Sequence, residues 1–186
     1  MEDSQIIELY WQRSESAIEE TSHKYGKLCR HIALNIVGNF SDAEECENDT
    51  YIAAWNAIPP TRPNSLSAFL SKIARNIALN RYEYNKAQKR NHEFDLILSE
   101  LEECIAAPKT VEQAYEQGMV AELIDDFLAG LSKEKRVIFV RRYWYSDPVK
   151  DIAKRMKISE SKVKTSLFRT RKELQQYLAA KGIVVG

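Results

Sequence analysis

Tyr25, Leu28, Cys29, Ile32 and Ile36 recur at i, i+3, i+4, i+7 and i+11, the spacing that lines apolar side chains along one stripe of an α-helix. Every other segment with a clear apolar repeat keeps this period, and none alternates as a half-buried strand does. The chain is therefore expected to be all-α. Ser41-Asp42-Ala43-Glu44 reads as a capping box opening a helix from Asp42 to Ile58. That helix carries Tyr51, Ala54, Trp55 and Ile58 on one face and stops at Pro59-Pro60. Residues 59–65, with Pro63 and Asn64, form a loop. A long helix over 66–90 follows, with Leu66, Phe69, Leu70, Ile73 and Ile77 as its expected buried stripe. A weaker helix over 6–20 completes a four-helix first domain, residues 1–91.

Residues 92–112 lose the period, and Ala106-Ala107-Pro108-Lys109 reads as a flexible tether. The helical pattern returns with Val120, Leu123, Ile124, Phe127 and Leu128 in a second domain, residues 113–186. Ser132 caps a helix through about Tyr145, and Asp147-Pro148 reads as an N-cap followed by proline at the first helical position. Val149, Ile152, Ala153 and Met156 make the helix after it amphipathic. Lys157-Ile158-Ser159 then turns the chain into a last helix with Val163, Leu167, Leu174 and Leu178 inside. Glycine and proline number only 6 and 5 in 186 residues, in keeping with helices joined by short turns.

Several function classes are excluded. No stretch approaches the roughly 20 apolar residues of a membrane span, and Met1-Glu2-Asp3-Ser4 is no start for a signal peptide. Cys29, Cys46 and Cys104 are isolated from one another, with neither metal-ligand nor disulfide spacing, so reduced thiols in the cytoplasm are expected. His23, His31 and His92 are scattered and no glycine-rich phosphate loop exists. The chain is thus expected to be no enzyme and to need no cofactor or metal.

Net charge is +0, but the charges are segregated. Lys72, Arg75, Arg81, Lys86, Lys89 and Arg90 face a single acid, Glu83, between 72 and 90. Bases dominate again over 150–172, and the stretch 93–126 between the two blocks is acidic. Two basic blocks on one chain suit two contacts with one polyanion.

Three helical faces carry chemistry. The short helix, turn and final helix make a helix-turn-helix unit, whose second helix is the one the major groove of DNA admits. Its outward face holds Lys162, Thr165, Ser166 and Arg169, flanked by Lys164, Phe168 and Lys172. The long helix sets Lys72, Arg75, Leu79, Tyr82, Lys86 and Lys89 opposite its apolar stripe, with Asn76 and Asn80 beside them. Cations interleaved with an aromatic and amides suit an unpaired strand, whose phosphates are neutralised and whose bases are stacked and hydrogen-bonded. The proline-rich loop before that helix forms a wall for an extruded base. The third face, Glu44, Glu45, Asn48 and Asp49, is acidic and suits a basic partner helix.

In this order, these pieces resemble the extracytoplasmic-function group of sigma factors in the sigma-70 family. DAEECENDTYIAAW (Asp42 to Trp55) looks like the family's region 2.2 and FLSKIARNIALNR (Phe69 to Arg81) like its regions 2.3–2.4. LSKEKRVIFVRRY (Leu131 to Tyr143) and DIAKRMKISESKVKTSLFRTRKEL (Asp151 to Leu174) look like region 4. The resemblance implies a promoter-specific sigma factor of core RNA polymerase. Asn48 and Asp49 would contact the β′ coiled coil, and region 4 would also touch the β flap. Lys72, Arg75, Asn76, Asn80, Tyr82 and Lys86 would serve the minus-10 element, with a flipped base held by the loop over 59–67. Lys164, Thr165, Phe168 and Arg169 match the minus-35 reading positions, with Lys162, Ser166 and Lys172 around them. Family members often have an anti-sigma partner that covers these surfaces. Three departures stand out. Lys157 occupies the usual glycine of the turn, Ser146-Asp147-Pro148 replaces a common Gly-Leu-Ser/Thr, and Tyr51 stands where phenylalanine is usual. Two other readings stay open from the residues: a helix-turn-helix regulator acting without polymerase, and a sigma-like polymerase-binding module that lacks promoter recognition.

Overall fold

The computed structural model describes residues 1–85, 91–104 and 111–183, with the backbone alone for 111–119. Within them the chain is helical: α1 (Asp3–Trp11), α2 (Ser16–Val37), α3 (Phe40–Ala57), α4 (Leu66–Asn85), α5 (His92–Glu102), α6 (Val111–Gly130), α7 (Lys133–Tyr143), α8 (Val149–Met156) and α9 (Glu160–Ala180). The described residues contain no strand. The chain divides into two compact units, Met1–Phe94 and Asp95–Gly186.

In the first unit α2, α3 and α4 pack against one another and α1 lies on α2. The core holds Ile6, Tyr10, Cys29, Ala54, Ile58, Leu66, Leu70 and Ala74. The single weak helix expected over 6–20 is two: α1 ends at Trp11, and Arg13 turns the chain at φ 55° before α2 begins. Arg13 is held there by its Nη1 donating to the Trp55 carbonyl at 2.6 Å, with its guanidinium 5.2 Å above the Trp55 ring. Gly38, at φ 75°, ends α2, a left-handed conformation that glycine adopts without steric cost. Asn39 then caps α3, its side chain accepting from the Asp42 N–H at 2.9 Å. The expected capping box at Ser41 is thereby corrected, because the helix already starts at Phe40. The Asp42 carboxylate is instead used inside the unit, accepting from the Asn39 and Asn85 side-chain amides at 2.5 and 2.9 Å.

The crossing of α2 and α3 is built around a carboxylate. Glu47 is buried, and it accepts from Arg30 Nε and, at 2.6 Å, from the Tyr51 hydroxyl. Gly26 of α2 lies against this pair: a Cβ there would meet Glu47 Oε1 at 2.8 Å and the Tyr51 oxygen at 2.9 Å. The hydroxyl that distinguishes Tyr51 from phenylalanine thus satisfies a buried acid.

In the second unit α9 packs against α6, α7 and α8. Val163, Leu167, Leu174 and Leu178 are all buried, as their spacing predicts. Ser132 and Ser159 cap α7 and α9 by accepting from Lys135 and Lys162 N–H groups. Pro148 is the N-cap of α8 rather than its first residue. Asp147, expected as the cap, is buried and turned toward Arg141 Nη1 at 3.3 Å. Residues 92–102, aperiodic at first reading, form α5, with Phe94 and Ile97 buried at a spacing of three. The expected tether at 106–109 lies outside the described residues.

Two outcomes follow. Alanine for glycine in a helix usually stabilises, but Gly26→Ala is expected to destabilise by about 1–3 kcal/mol through the clash at Glu47 and Tyr51, as read by urea unfolding. Burial pushes the Cys29 thiol up to about 12, helped by the Glu47 charge, and burial pushes Cys46 up to about 11. A maleimide at pH 8 is therefore expected to spare both in the folded protein and to label them once urea unfolds it.

Candidate nucleic-acid and polymerase interface

In the first unit α3 turns one face outward and one inward. Asp42, Ala43, Cys46, Glu47, Thr50, Tyr51 and Ala54 are buried, while Glu44, Glu45, Asn48 and Asp49 are all exposed, as expected. Glu45 already has a partner, Arg81 Nη2 at 2.7 Å. Two apolar side chains passed over in the sequence share this outward side. Phe40 sits under the Arg30 guanidinium, and Ile52, one turn beyond Asn48, is 58% exposed.

Helix α4 is rotated from its expected setting. Its buried stripe is Leu66, Leu70, Ala74, Ala78 and Tyr82, every fourth residue, and Phe69, Ile73 and Ile77 are only partly buried. The alanines let α4 approach α2 and α3 closely, and the larger side chains fill the flanks. Tyr82, expected on the outward line, is corrected by this rotation. It is 2% exposed and meets Phe94 edge-on at 4.9 Å. Arg75 is half-buried, and burial lowers the pKa of its guanidinium. Lys72, Asn76 and Asn80 are exposed as expected. Tyr84, 84% exposed, extends their line by one more step of four. Its i+4 spacing from Asn80 was the signal available in the sequence. Lys86 lies outside the described residues. Ser65 opens this helix, its hydroxyl accepting from the Ala68 N–H at 3.2 Å.

In the second unit α8, a tight turn and α9 form the helix-turn-helix. Lys157 takes φ 55° and ψ 42°, and the Ile158 N–H reaches back to the Ala153 carbonyl at 3.1 Å, a Schellman closure. The turn therefore demands the left-handed conformation at a lysine. Ser146, at φ 57°, takes the left-handed conformation too, in the link between α7 and α8. On α9, Lys162, Lys164, Thr165, Phe168, Arg169 and Lys172 are exposed and Ser166 is half-buried. Lys162 pairs with Glu134 of α7 at 2.9 Å. The Lys172 ammonium lies 4.9 Å from the ring centre of Phe168, which is 51% exposed. Cations, a short hydroxyl and an aromatic ring thus share one face of one helix, groups able to meet the phosphates and base edges of a major groove.

Among the described residues no cluster of histidine, cysteine, aspartate or glutamate could hold a metal ion, and no helix is long and apolar enough to cross a membrane.

Comparison with known proteins bears on what these two faces belong to. The family model described as Sigma-70 region 2 matches residues 22–88, and the one described as Sigma-70, region 4 matches residues 121–174. Together they span more than half of the chain. The chain belongs to the sigma-70 family. It is an RNA polymerase sigma factor, and core polymerase and promoter DNA are its partners. The match to region 2 sets aside a helix-turn-helix regulator that works without polymerase. Sigma-factor families are generally non-enzymatic. Among solved structures the chain is similar to one described as CnrH in complex with the cytosolic domain of CnrY. The identity is 17%, over 96% of this chain and 97% of that one, with a TM-score of 0.45. No curated protein matches it.

The strained turn in this sigma factor gives a direct test. A left-handed side chain costs roughly 1–2 kcal/mol relative to glycine, part of which the extra freedom of unfolded glycine offsets. Lys157→Gly is therefore expected to stabilise the protein by about 1 kcal/mol, seen as a rise in Tm by calorimetry.

Proposed function

We propose that the protein is a sigma factor of the extracytoplasmic-function group that reads a promoter at two elements. Residues 1–91 act as region 2, 92–112 as the linker and 113–186 as region 4. The outward acids of α3, with Asn48 and Asp49 foremost and Glu44 and Glu45 beside them, dock on the β′ coiled coil of core polymerase. Ile52 adds an apolar contact at the end of that face. Lys72, Asn76, Asn80 and Tyr84 follow the non-template strand of the minus-10 element, with Arg75 at the edge of their line. The loop over 59–67 holds an extruded base of that strand. Lys162, Lys164, Thr165, Ser166, Phe168, Arg169 and Lys172 read the minus-35 duplex, and region 4 also meets the β flap. The polymerase supplies all the chemistry and this chain none, and both work in the cytoplasm. The family resemblance adds an anti-sigma factor that covers these surfaces when the sigma factor is held inactive.

The observation that carries this reading is the outward line on α4. A cation, two amides and an aromatic stand at intervals of four residues, with their backs to a stripe of alanines. A merely solvated face has no reason to align amides and an exposed tyrosine. An unpaired strand uses both, for hydrogen bonds to base edges and for stacking.

The test is transcription in vitro with core polymerase and a library of random promoters, the transcripts being sequenced. The expected result is a set of starts sharing two upstream elements. Asn76→Ala and Arg169→Ala should each lower initiation by about tenfold or more, the size of one lost base contact. Polymerase binding without initiation would overturn the reading in favour of a sigma-like module lacking promoter recognition.

A further inference from the structure

Helix α5 falls between the two regions matched by the family, yet from Asp95 onward it is part of the second unit. What joins it there is Glu100. Its carboxylate accepts from Arg142 of α7 twice, Nη2 at 3.0 Å and Nε at 3.2 Å, and from the Tyr143 hydroxyl at 2.9 Å. Arg171 of α9 donates to that same hydroxyl at 2.8 Å and lies 3.7 Å from the carboxylate. One residue of α5 therefore bridges α7 and α9. The contact continues along α9, where Gln175 Nε2 donates to the Glu103 carbonyl at 3.3 Å and Arg171 stands 3.8 Å from the Glu103 carboxylate.

Arg142 is 2% exposed. A guanidinium buried that deeply needs an anion close by, and its two-pronged geometry matches a carboxylate. Helix α5 supplies such an anion in Glu100, while Arg142 Nη1 also donates to the Asp147 carbonyl at 3.3 Å. Arg171, in turn, is one turn beyond Phe168 and adjacent to Lys172, both on the outward face of α9. Glu100 is one of the ties that set that face against α7, beside the direct pairs Lys162–Glu134 and Lys135–Glu173.

We propose that Glu100 is a positioning residue for the DNA-reading helix: from outside the matched region 4, its carboxylate ties α7 to α9 and so fixes how the face from Lys162 to Lys172 is presented to DNA. This rests on the reading of α9 as the minus-35 helix. The residue touches no DNA. It acts through Arg142, Tyr143 and Arg171.

The experiment uses the full chain, wild type, Glu100→Ala and Glu100→Gln. Two readouts are taken on each. One is amide hydrogen exchange in residues 95–104. The other is the ratio of the dissociation constant for a duplex with two base pairs exchanged to that for the minus-35 duplex recovered from the promoter library, a number that falls as discrimination is lost. A ratio from one preparation does not depend on the folded fraction, so a loss of stability alone leaves it unmoved. Glu100→Ala is expected to speed exchange in 95–104 and to lower the ratio by about tenfold, the coupling typical of residues sharing a network. Glu100→Gln, which keeps an acceptor oxygen, should stay within about threefold of wild type. Faster exchange with an unchanged ratio would overturn the proposal, leaving Glu100 a purely stabilising contact. Unchanged exchange would overturn it as well, since α5 would then not depend on Glu100. If the wild type itself does not distinguish the duplexes, the reading of α9 fails and the proposal falls with it. The exchange arm, which uses no DNA, tells that failure apart from the others.

Discussion

Glu47 is an acid inside a helical core, and the outward face of α3 depends on its being there. A carboxylate removed from water needs charged or hydrogen-bonded partners. Arg30 and the Tyr51 hydroxyl provide them, one from the neighbouring helix and one from the next turn of its own. Gly26 leaves the space for both. With Glu47 pinned inward, the rotation of α3 about its axis is set, and Glu44, Asn48 and Ile52 are left pointing out. An apolar residue in place of Glu47 would fill the same volume without distinguishing one rotation from its neighbours so sharply.

Much of this was legible in the sequence, and where it was not the reasons are physical. The interior of α9 was plain, because large aliphatic residues at i, i+4, i+11 and i+15 admit only one buried stripe; its outward cations followed by exclusion. Helix α4 was read with the wrong rotation. Ile73 and Ile77 outweigh alanine on any hydrophobicity scale, yet the close approach of three helices selects the smallest side chains for the centre. Tyr82 went outward, and Tyr84 was overlooked, for that one reason. The caps at Asn39 and Pro148 were each displaced from the expected residue. The α3 helix starts one residue ahead of Ser41, at Phe40, and Asp147 is turned to Arg141 instead of to the α8 N-terminus. Helix α5 escaped notice because its decisive residue is charged. Periodicity counts apolar side chains, and a glutamate that finds its partners 42 and 71 residues further on leaves no local trace.

The zero net charge is at first sight awkward for a DNA-binding protein, and the ion pairs explain how it is managed. Lys162 is paired with Glu134 and Arg81 with Glu45. Part of the positive charge beside the two faces is thus matched within the fold. Non-specific affinity for DNA scales with the phosphates neutralised, so each such internal pair lowers the pull on DNA away from a promoter. Linking two weak contacts gives useful affinity only when their spacing is held, and for a sigma factor polymerase does the holding.

The line on α4 also has a length. Lys72 and Tyr84 are twelve residues apart on one helix, which at 1.5 Å per residue is about 18 Å. Along a stacked strand, at 3.4 Å per nucleotide, that distance covers about five steps. Under the proposed reading of α4, the helix would act as a ruler of fixed span. A stacked strand running along this line would present roughly six bases to it, and an extruded base would fall outside that count.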